Sequence, residues 1–247
     1  MLRRSLGAFA LAVAVAVAVP VPVAAQTADE IIAKSQAAQG GLAKIKAIQS
    51  VRMSGKMTVG PGIEAPVVIE MKRPKSMRLD LSIQGMTITQ AYDGTTGWMV
   101  NPLSGKADAE ALPSEMTKLL EEQADMDGPL LDYKAKGSTV ELLGKDKAEG
   151  TDCFKLKVTL KGGDVRTFYI DAESFLPVKI ESKTMMRGSE QLSDTIVGDY
   201  KEVGGVLMAH SMDTGQAGQP VRQKMTVDTI DINVALDDAR FKMPVKK

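Results

Sequence analysis

Residues 77–84, Met-Arg-Leu-Asp-Leu-Ser-Ile-Gln, decide the fold class of this 247-residue chain. Their odd positions are apolar and their even positions polar, which is the two-residue period of a strand with one buried face and one face in water. The stretches 51–59 and 153–160 alternate in the same way. Further strands are predicted over 66–72, 86–92, 97–101, 138–143, 165–170, 176–182, 193–201, 206–213 and 221–234. In the last of these the apolar phase slips between Val227 and Ile230, which predicts a β-bulge.

Three short segments have helical spacing instead. They cover 28–39 after Thr27 as N-cap, 42–48 after the breaker Gly40-Gly41, and the stretch between Pro113-Ser114 and Gly128-Pro129. Many one-sided strands with turn signals between them are typical of an antiparallel meander that curls. We therefore predict a mainly β (α+β) fold: an incomplete antiparallel β-barrel of about 11–12 strands, with short helices over its open, concave side. No linker divides residues 26–247, so we expect one domain.

The first 25 residues have the pattern of a cleaved secretory signal peptide. Arg3 and Arg4 precede an apolar run over 7–19, and the small residues 23–25 allow cleavage after Ala25. The alternative is an uncleaved N-terminal anchor. The only cysteine, Cys153, is far from the cleavage site, so neither a lipid-modified N-terminus nor an internal disulfide is expected. The sequence thus predicts a soluble exported protein.

Composition argues against most enzyme classes and against nucleic-acid binding. Lysine plus arginine equals aspartate plus glutamate at 31 each, and aromatic residues are only 4%, so neither a polyanion site nor a base-stacking platform is indicated. With one histidine and one cysteine, a Cys/His zinc site cannot be assembled. We expect no enzyme activity, no catalytic residues, no metal and no cofactor, although an enzyme acting on an envelope lipid stays a third possibility.

Four weaker patterns could indicate a catalytic or metal-binding site. His210 is interpreted as a structural or surface histidine, and no G-x-S-x-G sequence accompanies it. Asp125-x-Asp127-Gly128 matches only part of a calcium loop. Cys153 falls on the polar face of its strand. The spacing of the carboxylates does not single out a pair among Glu64, Glu70 and Asp80.

The predicted concave face is rich in methionine, an unbranched, polarizable residue that adapts to irregular partners. These residues either fill gaps in a packed core or line a deformable groove for acyl chains, and composition does not separate the two. The candidate lining residues are Met53, Met57, Ile69, Met71, Met77, Leu79, Leu81, Met86, Leu156 and Val158, together with Trp98.

Several motifs, in order along the chain, resemble the LolA-like carriers that sort outer-membrane lipoproteins. The motifs are Glu-Met-Lys-Arg-Pro-Lys at 70–75, Ala-Tyr-Asp-Gly-Thr-Thr-Gly-Trp-Met-Val-Asn-Pro at 91–102, the hairpin 169–179 and the C-terminal stretch 237–244. The superfamily also includes the acceptor LolB and the stress sensor RseB. The resemblance implies a half-barrel with a hydrophobic cavity for lipoprotein acyl chains. Arg73 matches the family arginine that holds a helical lid shut, and Trp98 matches the family tryptophan. The alternatives are a solvated arginine at a strand end and a buried structural tryptophan.

From this resemblance we expect a non-covalent periplasmic carrier of lipoprotein acyl chains or another envelope lipid. It would act as a monomer between an inner-membrane donor and an outer-membrane acceptor. The alternative is a periplasmic sensor or adaptor that binds lipidated or misfolded envelope proteins. The sequence departs from the carriers in its few aromatic residues, in the Gly40-Gly41 insertion and in the long 204–222 region.

Overall fold

One antiparallel sheet contains all thirteen strands that the computed structural model describes, over residues 26–216 and 219–245. The predicted signal peptide, residues 1–25, lies outside these ranges. The strands are β1 (Ser50–Gly60), β2 (Ile63–Lys72), β3 (Ser76–Ile83), β4 (Met86–Tyr92), β5 (Gly97–Asn101), β6 (Lys106–Ala111), β7 (Thr139–Ala148), β8 (Thr151–Thr159), β9 (Val165–Asp171), β10 (Pro177–Met186), β11 (Ser189–Val203), β12 (Val206–Gln216) and β13 (Arg222–Ile232).

The strand order is that of two meanders joined at one seam. Strands that are neighbours in the sheet are also consecutive in sequence, except for β1, which pairs with β13. The edges of the sheet are β6 and β7, and they do not pair with each other, so the barrel stays open. The predicted fold class, an incomplete antiparallel barrel with short helices, is confirmed.

The predicted strand number was too low because β6 was missed. Its sequence, Lys-Ala-Asp-Ala-Glu-Ala, alternates charged residues with alanine but contains no β-branched or aromatic residue, so its propensity does not indicate a strand. Pairing with β5 overrides that local preference: Trp98 lies opposite Ala111 and Met99 opposite Glu110.

The seam between β1 and β13 contains the predicted bulge. Ser54 pairs with Thr229 and Gly55 with Val227, which leaves Asp228 as the extra residue. The strands approach so closely here that a Cβ on Gly55 would lie 2.0 Å from the carbonyl oxygen of Thr226. Only glycine fits at this position of the seam.

Three helices lie over one face of the sheet, which we call the inner face. They are α1 (Ala28–Ala38), α2 (Leu42–Ala47) and α3 (Ser114–Gln123), and two short 3-10 helices cover Pro102–Ser104 and Asp238–Arg240. Thr27 caps α1 as predicted and forms a capping box with Glu30. Within the described ranges, no helix has the length and apolar character that crossing a membrane requires.

The outer face is closed by the segment that follows β13. The buried Glu70 carboxylate accepts from Arg52 Nε at 2.9 Å and from Arg240 Nε at 2.7 Å. Phe241 is buried beside them, and its carbonyl oxygen accepts from Trp98 Nε1 at 2.7 Å. A paired buried carboxylate and a satisfied indole thus fix the C-terminal segment to the sheet.

These contacts overturn the assignment of Trp98 to the cavity face. Trp98 pairs with Ala91, and Ala91 pairs with Arg78, so all three side chains belong to the outer face. The Arg78 guanidinium lies 5.8 Å from the centre of the indole ring. Trp98 is a buried structural residue on the opposite side of the sheet from the helices.

The register of β3 makes the first testable prediction. Met77 is buried on the inner face, whereas Ser82, on the same strand, is exposed on the outer face. Met77→Asp should lower the free energy of unfolding by roughly 3 kcal/mol or more, because it buries an unpaired charge. Ser82→Asp is the matched control and should change that free energy by about 0.5 kcal/mol or less. Urea unfolding measures both, and equal tolerance of the two aspartates would contradict this register.

Candidate functional site

Most of the predicted cavity residues meet in one apolar cluster on the inner face. Buried Val67, Tyr92, Leu120 and Met225 belong to it, so it is shared by strands of both meanders and by α3. The predicted residues found in this cluster are Met53, Met57, Ile69, Met71, Met77, Leu79 and Leu81. Their common location agrees with the alternation pattern, and their role in binding stays a prediction.

The remaining predicted residues are placed differently. Leu156 and Val158 are fully buried in a second cluster, where they pack with Ile31 and Ile32 of α1. Helix α1 therefore fills the space that they were expected to offer to a ligand. Met86 lies outside both clusters and is exposed at the start of β4, next to a turn.

A cavity of about 400 Å³ lies beside the first cluster, at the seam between the meanders. The sheet contributes an apolar floor: Val51, Met53, Met71, Met208, Met212 and Ile230. Ile45, Ile48 and Met126 cover it from the helical side. Two larger clefts, of about 590 and 850 Å³, are lined by none of the predicted cavity residues. The seam cavity is therefore the candidate ligand site.

Arg73, at the end of β2, holds the cover of this cavity in place. Its Nε donates to the carbonyl oxygen of Ile48 at 2.7 Å, and one Nη lies 3.5 Å from the carbonyl oxygen of Ile45. The two Nη atoms also donate to both carboxylate oxygens of Asp127, at 2.8 and 2.6 Å. One guanidinium thus joins the sheet, the end of α2 and the loop after α3.

We call α2 and the loop 125–128 the lid, because polar contacts hold both. No residue of α2 itself is buried, in contrast to α1. Lys46 of α2 forms an ion pair with Asp132 at 2.6 Å. Lys136 binds the loop through Asp125 at 2.5 Å and the carbonyl oxygen of Gly128 at 2.6 Å. Ion pairs and hydrogen bonds thus hold the lid, and its Ile45 and Met126 also pack against a small apolar cluster of Ile48, Val51 and Val206.

The junction between α1 and α2 is fixed to the sheet at the insertion Gly40-Gly41. Leu207 donates its backbone N–H to the carbonyl oxygen of Gln39 at 2.9 Å. Gly40 has φ +116°, and a Cβ there would lie 2.3 Å from the carbonyl oxygen of Gly205. The backbones at Gly40 and Gly205 approach so closely that position 40 must be glycine. The start of α2 is therefore held against the turn between β11 and β12.

The electrostatics of the lid favour the charged forms of Arg73 and Asp127. The bidentate hydrogen bonds from Arg73 lower the pKa of Asp127, burial opposes this, and Lys136 and Lys46 add to the lowering. Tyr200, which also lines the cavity, has a pKa raised by burial, so it stays neutral. At neutral pH the cavity therefore has a closed ion pair at its edge and an uncharged, mostly apolar wall.

Known structures share this architecture, although no protein-family model and no curated protein matches the sequence. A domain from Vibrio parahaemolyticus, assigned to outer-membrane lipoprotein sorting, is 12% identical with a TM-score of 0.59, over 86% of this chain and 94% of its own. A LolA superfamily protein from Nitrosomonas europaea is 13% identical with a TM-score of 0.58, over 88% and 98%. A DUF1329 family protein from Desulfovibrio piger is 12% identical with a TM-score of 0.56, over 88% and 98%.

This chain has the fold of the LolA superfamily. The resemblance seen in the sequence motifs is thereby confirmed at the level of the fold. Within this LolA-type fold, the Lys-Arg-Pro motif ends β2 at the edge of the cavity, which is why Arg73 reaches the lid.

The other polar residues that the sequence offered as candidates have structural roles in the LolA-type fold. Asp125 and Asp127 are neutralised by Lys136 and Arg73, and in the described part of the chain no group of acidic, histidine and cysteine side chains could hold a metal ion. His210 is buried, with Nδ1 3.0 Å from the carbonyl oxygen of Met208. Cys153 is buried rather than exposed on a polar face, and burial raises the pKa of its thiol.

The three carboxylates are also ion-paired apart from one another. Glu64 lies 3.9 Å from Lys56, Asp80 binds Arg78 at 2.8 Å, and Glu70 lies beneath the C-terminal segment. The sequence reasoning missed Asp127 as the partner of Arg73, together with Met126, Met208 and Met212 of the cavity. The alternation in 206–213, which puts Met208 and Met212 on the same face as Val206, could have identified these two methionines. No sequence signal connects Asp127 with Arg73, because the two are 54 positions apart.

The lowered pKa of Asp127 gives a testable pH dependence. A carboxyl whose folded pKa is lowered stabilises the fold above its unfolded value, 3.8, and this contribution is lost as the pH falls through the folded pKa. Wild type should therefore exceed Asp127→Asn in unfolding free energy at pH 7. The difference should shrink below about pH 4, as the unfolded-state value implies. Chemical unfolding at a series of pH values measures it, and a difference that stays constant down to pH 2 would contradict the assigned pair.

Proposed function

We propose that this protein is a periplasmic carrier that holds the acyl chains of a lipidated cargo in the seam cavity without covalent chemistry. The observation that carries the proposal is an apolar cavity whose cover is attached by polar contacts centred on Arg73. Such a cover can open for a ligand by separating only the small cluster around Ile48, while the two larger apolar clusters stay packed.

The lining of the cavity suits flexible hydrocarbon better than a rigid ligand. Five of the side chains around it, at positions 53, 71, 126, 208 and 212, are methionines, which can repack around different chain conformations. Its volume of about 400 Å³ lies in the range of small-molecule sites even in the closed form. Asp127 and Arg73 lie at the edge, where the polar end of a lipid would face water.

The comparisons support lipoprotein acyl chains as the first cargo to test. One similar structure is assigned to outer-membrane lipoprotein sorting and another to the LolA superfamily. We propose that residues 1–25 direct export and are removed, and that residues 26–247 form one domain. The monomer would then accept cargo from an inner-membrane donor and deliver it to an outer-membrane acceptor.

Substitution of Arg73 tests the proposal directly. Only the open form binds the probe, so the apparent affinity equals the affinity of the open form multiplied by the fraction of protein that is open. A latch that stabilises the closed form by about 1.4 kcal/mol therefore weakens binding about tenfold. Arg73→Leu removes every donor and should bind a fluorescent fatty acid more tightly and release it more slowly to acceptor vesicles. Arg73→Lys keeps the charge without the planar fork and should fall between the two.

Lys72→Leu is the matched control for these titrations. Lys72 is the preceding residue and binds the carbonyl oxygen of Leu236 and the carboxylate of Asp238, both in the C-terminal segment. Its loss should leave probe affinity unchanged. Thermal unfolding of each variant verifies that it is folded. Equal probe affinity in wild type and both Arg73 variants would mean that Arg73 does not control access, and failure of all four proteins to bind the probe would reject the carrier function.

Native purification tests cargo and location together. Osmotic shock should release the protein with the soluble periplasmic fraction, and mass spectrometry should detect a co-purifying lipid or lipoprotein. Recovery with membranes in high salt would point instead to an uncleaved anchor. Stable co-purification with an unlipidated envelope protein, with no lipid present, would favour the sensor or adaptor function.

A further inference from the structure

Six exposed apolar side chains lie at one end of the sheet. Because consecutive antiparallel strands alternate in direction, their connections alternate between two ends. Those after β1, β3, β5, β8, β10 and β12 share one end, since β13 pairs antiparallel with β1. We call this the tip end. At or beside these connections lie Ile63, Met86, Leu103, Met185, Leu192 and Val221, each between 37 and 62% exposed.

Leu42 of α2 is exposed at the opposite end of the sheet, where the lid lies, and Met243 and Val245 are exposed in the C-terminal segment. The strand connections at that end have no such residues. These follow β2, β4, β7, β9 and β11, and none of the exposed large apolar side chains in the described ranges belongs to them. Single exposed apolar residues are normal on a protein surface. Their concentration on five separate connections at one end is the feature that needs an explanation.

One connection projects beyond the rest of the tip end. Pairing of β10 with β9 ends at Lys183, and pairing of β11 with β12 ends at Ser193, so the hairpin 184–192 has no neighbouring strand. Three residues of strand beyond the sheet amount to a reach of about 10 Å. Met185 and Leu192 are exposed on this hairpin, and Arg187 lies at its turn. A Glu115 carboxylate oxygen, on α3, accepts the Arg187 backbone N–H at 3.2 Å.

Within its turns the exposed charges of the tip end are positive, and the acidic Glu64 and Glu190 beside these turns form ion pairs with Lys56 and Lys183. Lys161 and Arg187 are the exposed ionisable residues of these turns as the structure describes them, and the nearby Asp164 is buried against Lys118 at 2.9 Å. The turns at the lid end instead include the acidic residues Asp93, Glu149 and Glu173. The exposed positive charges of the turns and six of the ten exposed large apolar side chains of the described residues thus occur together at the tip end.

We propose that the tip end docks reversibly on the surface of an anionic phospholipid bilayer. Separate apolar side chains on projecting turns can each enter the interfacial region, while Lys161 and Arg187 meet lipid phosphates. A protein partner would favour a contiguous apolar patch with a polar rim, which five separate turns do not provide. This docking goes beyond the proposed carrier function and does not depend on what the seam cavity holds.

Vesicle binding of the mature chain tests the docking surface. Wild type should co-sediment with vesicles of phosphatidylcholine and phosphatidylglycerol in equal parts, and far less with phosphatidylcholine alone or in 0.5 M salt, as expected when surface charges contribute. The triple variant Ile63→Ser, Met185→Ser, Val221→Ser should bind at least tenfold more weakly. The matched control Leu143→Ser, at an exposed leucine in the middle of edge strand β7, should bind within twofold of wild type.

The fatty-acid probe separates this proposal from the carrier function. The triple variant should bind the probe as wild type does, because its three positions lie outside the seam cavity. Wild type that binds the probe but no vesicles would overturn the docking proposal and leave the carrier function standing. Equal vesicle binding by wild type and the triple variant would overturn it too. Dimerisation that the triple variant abolishes, with no vesicle binding, would assign the tip end to a second copy of the chain.

Discussion

The pairing of β1 with β13 is the constraint on which the rest of the structure depends. Every other strand pair is a hairpin formed by consecutive strands, whereas this one joins Val51 to Ile232 and turns two meanders into one sheet. Without it each meander would have two unpaired edges. The seam also creates the cavity, because its floor takes Met53 from β1, Ile230 from β13 and Met212 from β12. The bulge beside Gly55 lets the strands meet closely there.

The energetics of the lid suit a ligand of modest size. A hydrogen bond to a charged group contributes about 1.5–3 kcal/mol net, and burial of one methylene contributes about 0.8 kcal/mol. Burial of a few methylenes therefore offsets the loss of the short Arg73–Ile48 contact and part of the Arg73–Asp127 pair. A lid packed as firmly as α1, whose Ile31 is fully buried, would need far more ligand contact to open. Attachment through a few polar contacts and one small apolar cluster brings the open and closed states closer in free energy than packing like that of α1 would.

The sequence was informative wherever side-chain periodicity reports burial. Alternation placed Met53, Met77 and Leu79 on the inner face, and the phase slip in β13 located the bulge. It failed for β6, whose pairing comes from β5 and not from its own composition, and for Trp98, whose apolar character says nothing about which face it covers. Arg73 was found through a motif, but its partner Asp127 comes from a loop distant in sequence. Contacts of that kind are set by tertiary packing, which no local pattern encodes.

The two ends of the sheet follow from the same meander topology. Each strand carries the chain from one end to the other, so a lid at one set of connections and apolar turns at the other are separated by the length of a strand. For the eleven residues of β1 that is about 35 Å. If the tip end rests on a bilayer, α2 and Asp127 remain well away from the lipid, in water, where the Arg73 contacts can break without entering hydrocarbon. In the proposed carrier, cargo exchange would then take place at the lid end, while the tip end would hold the protein near the membrane.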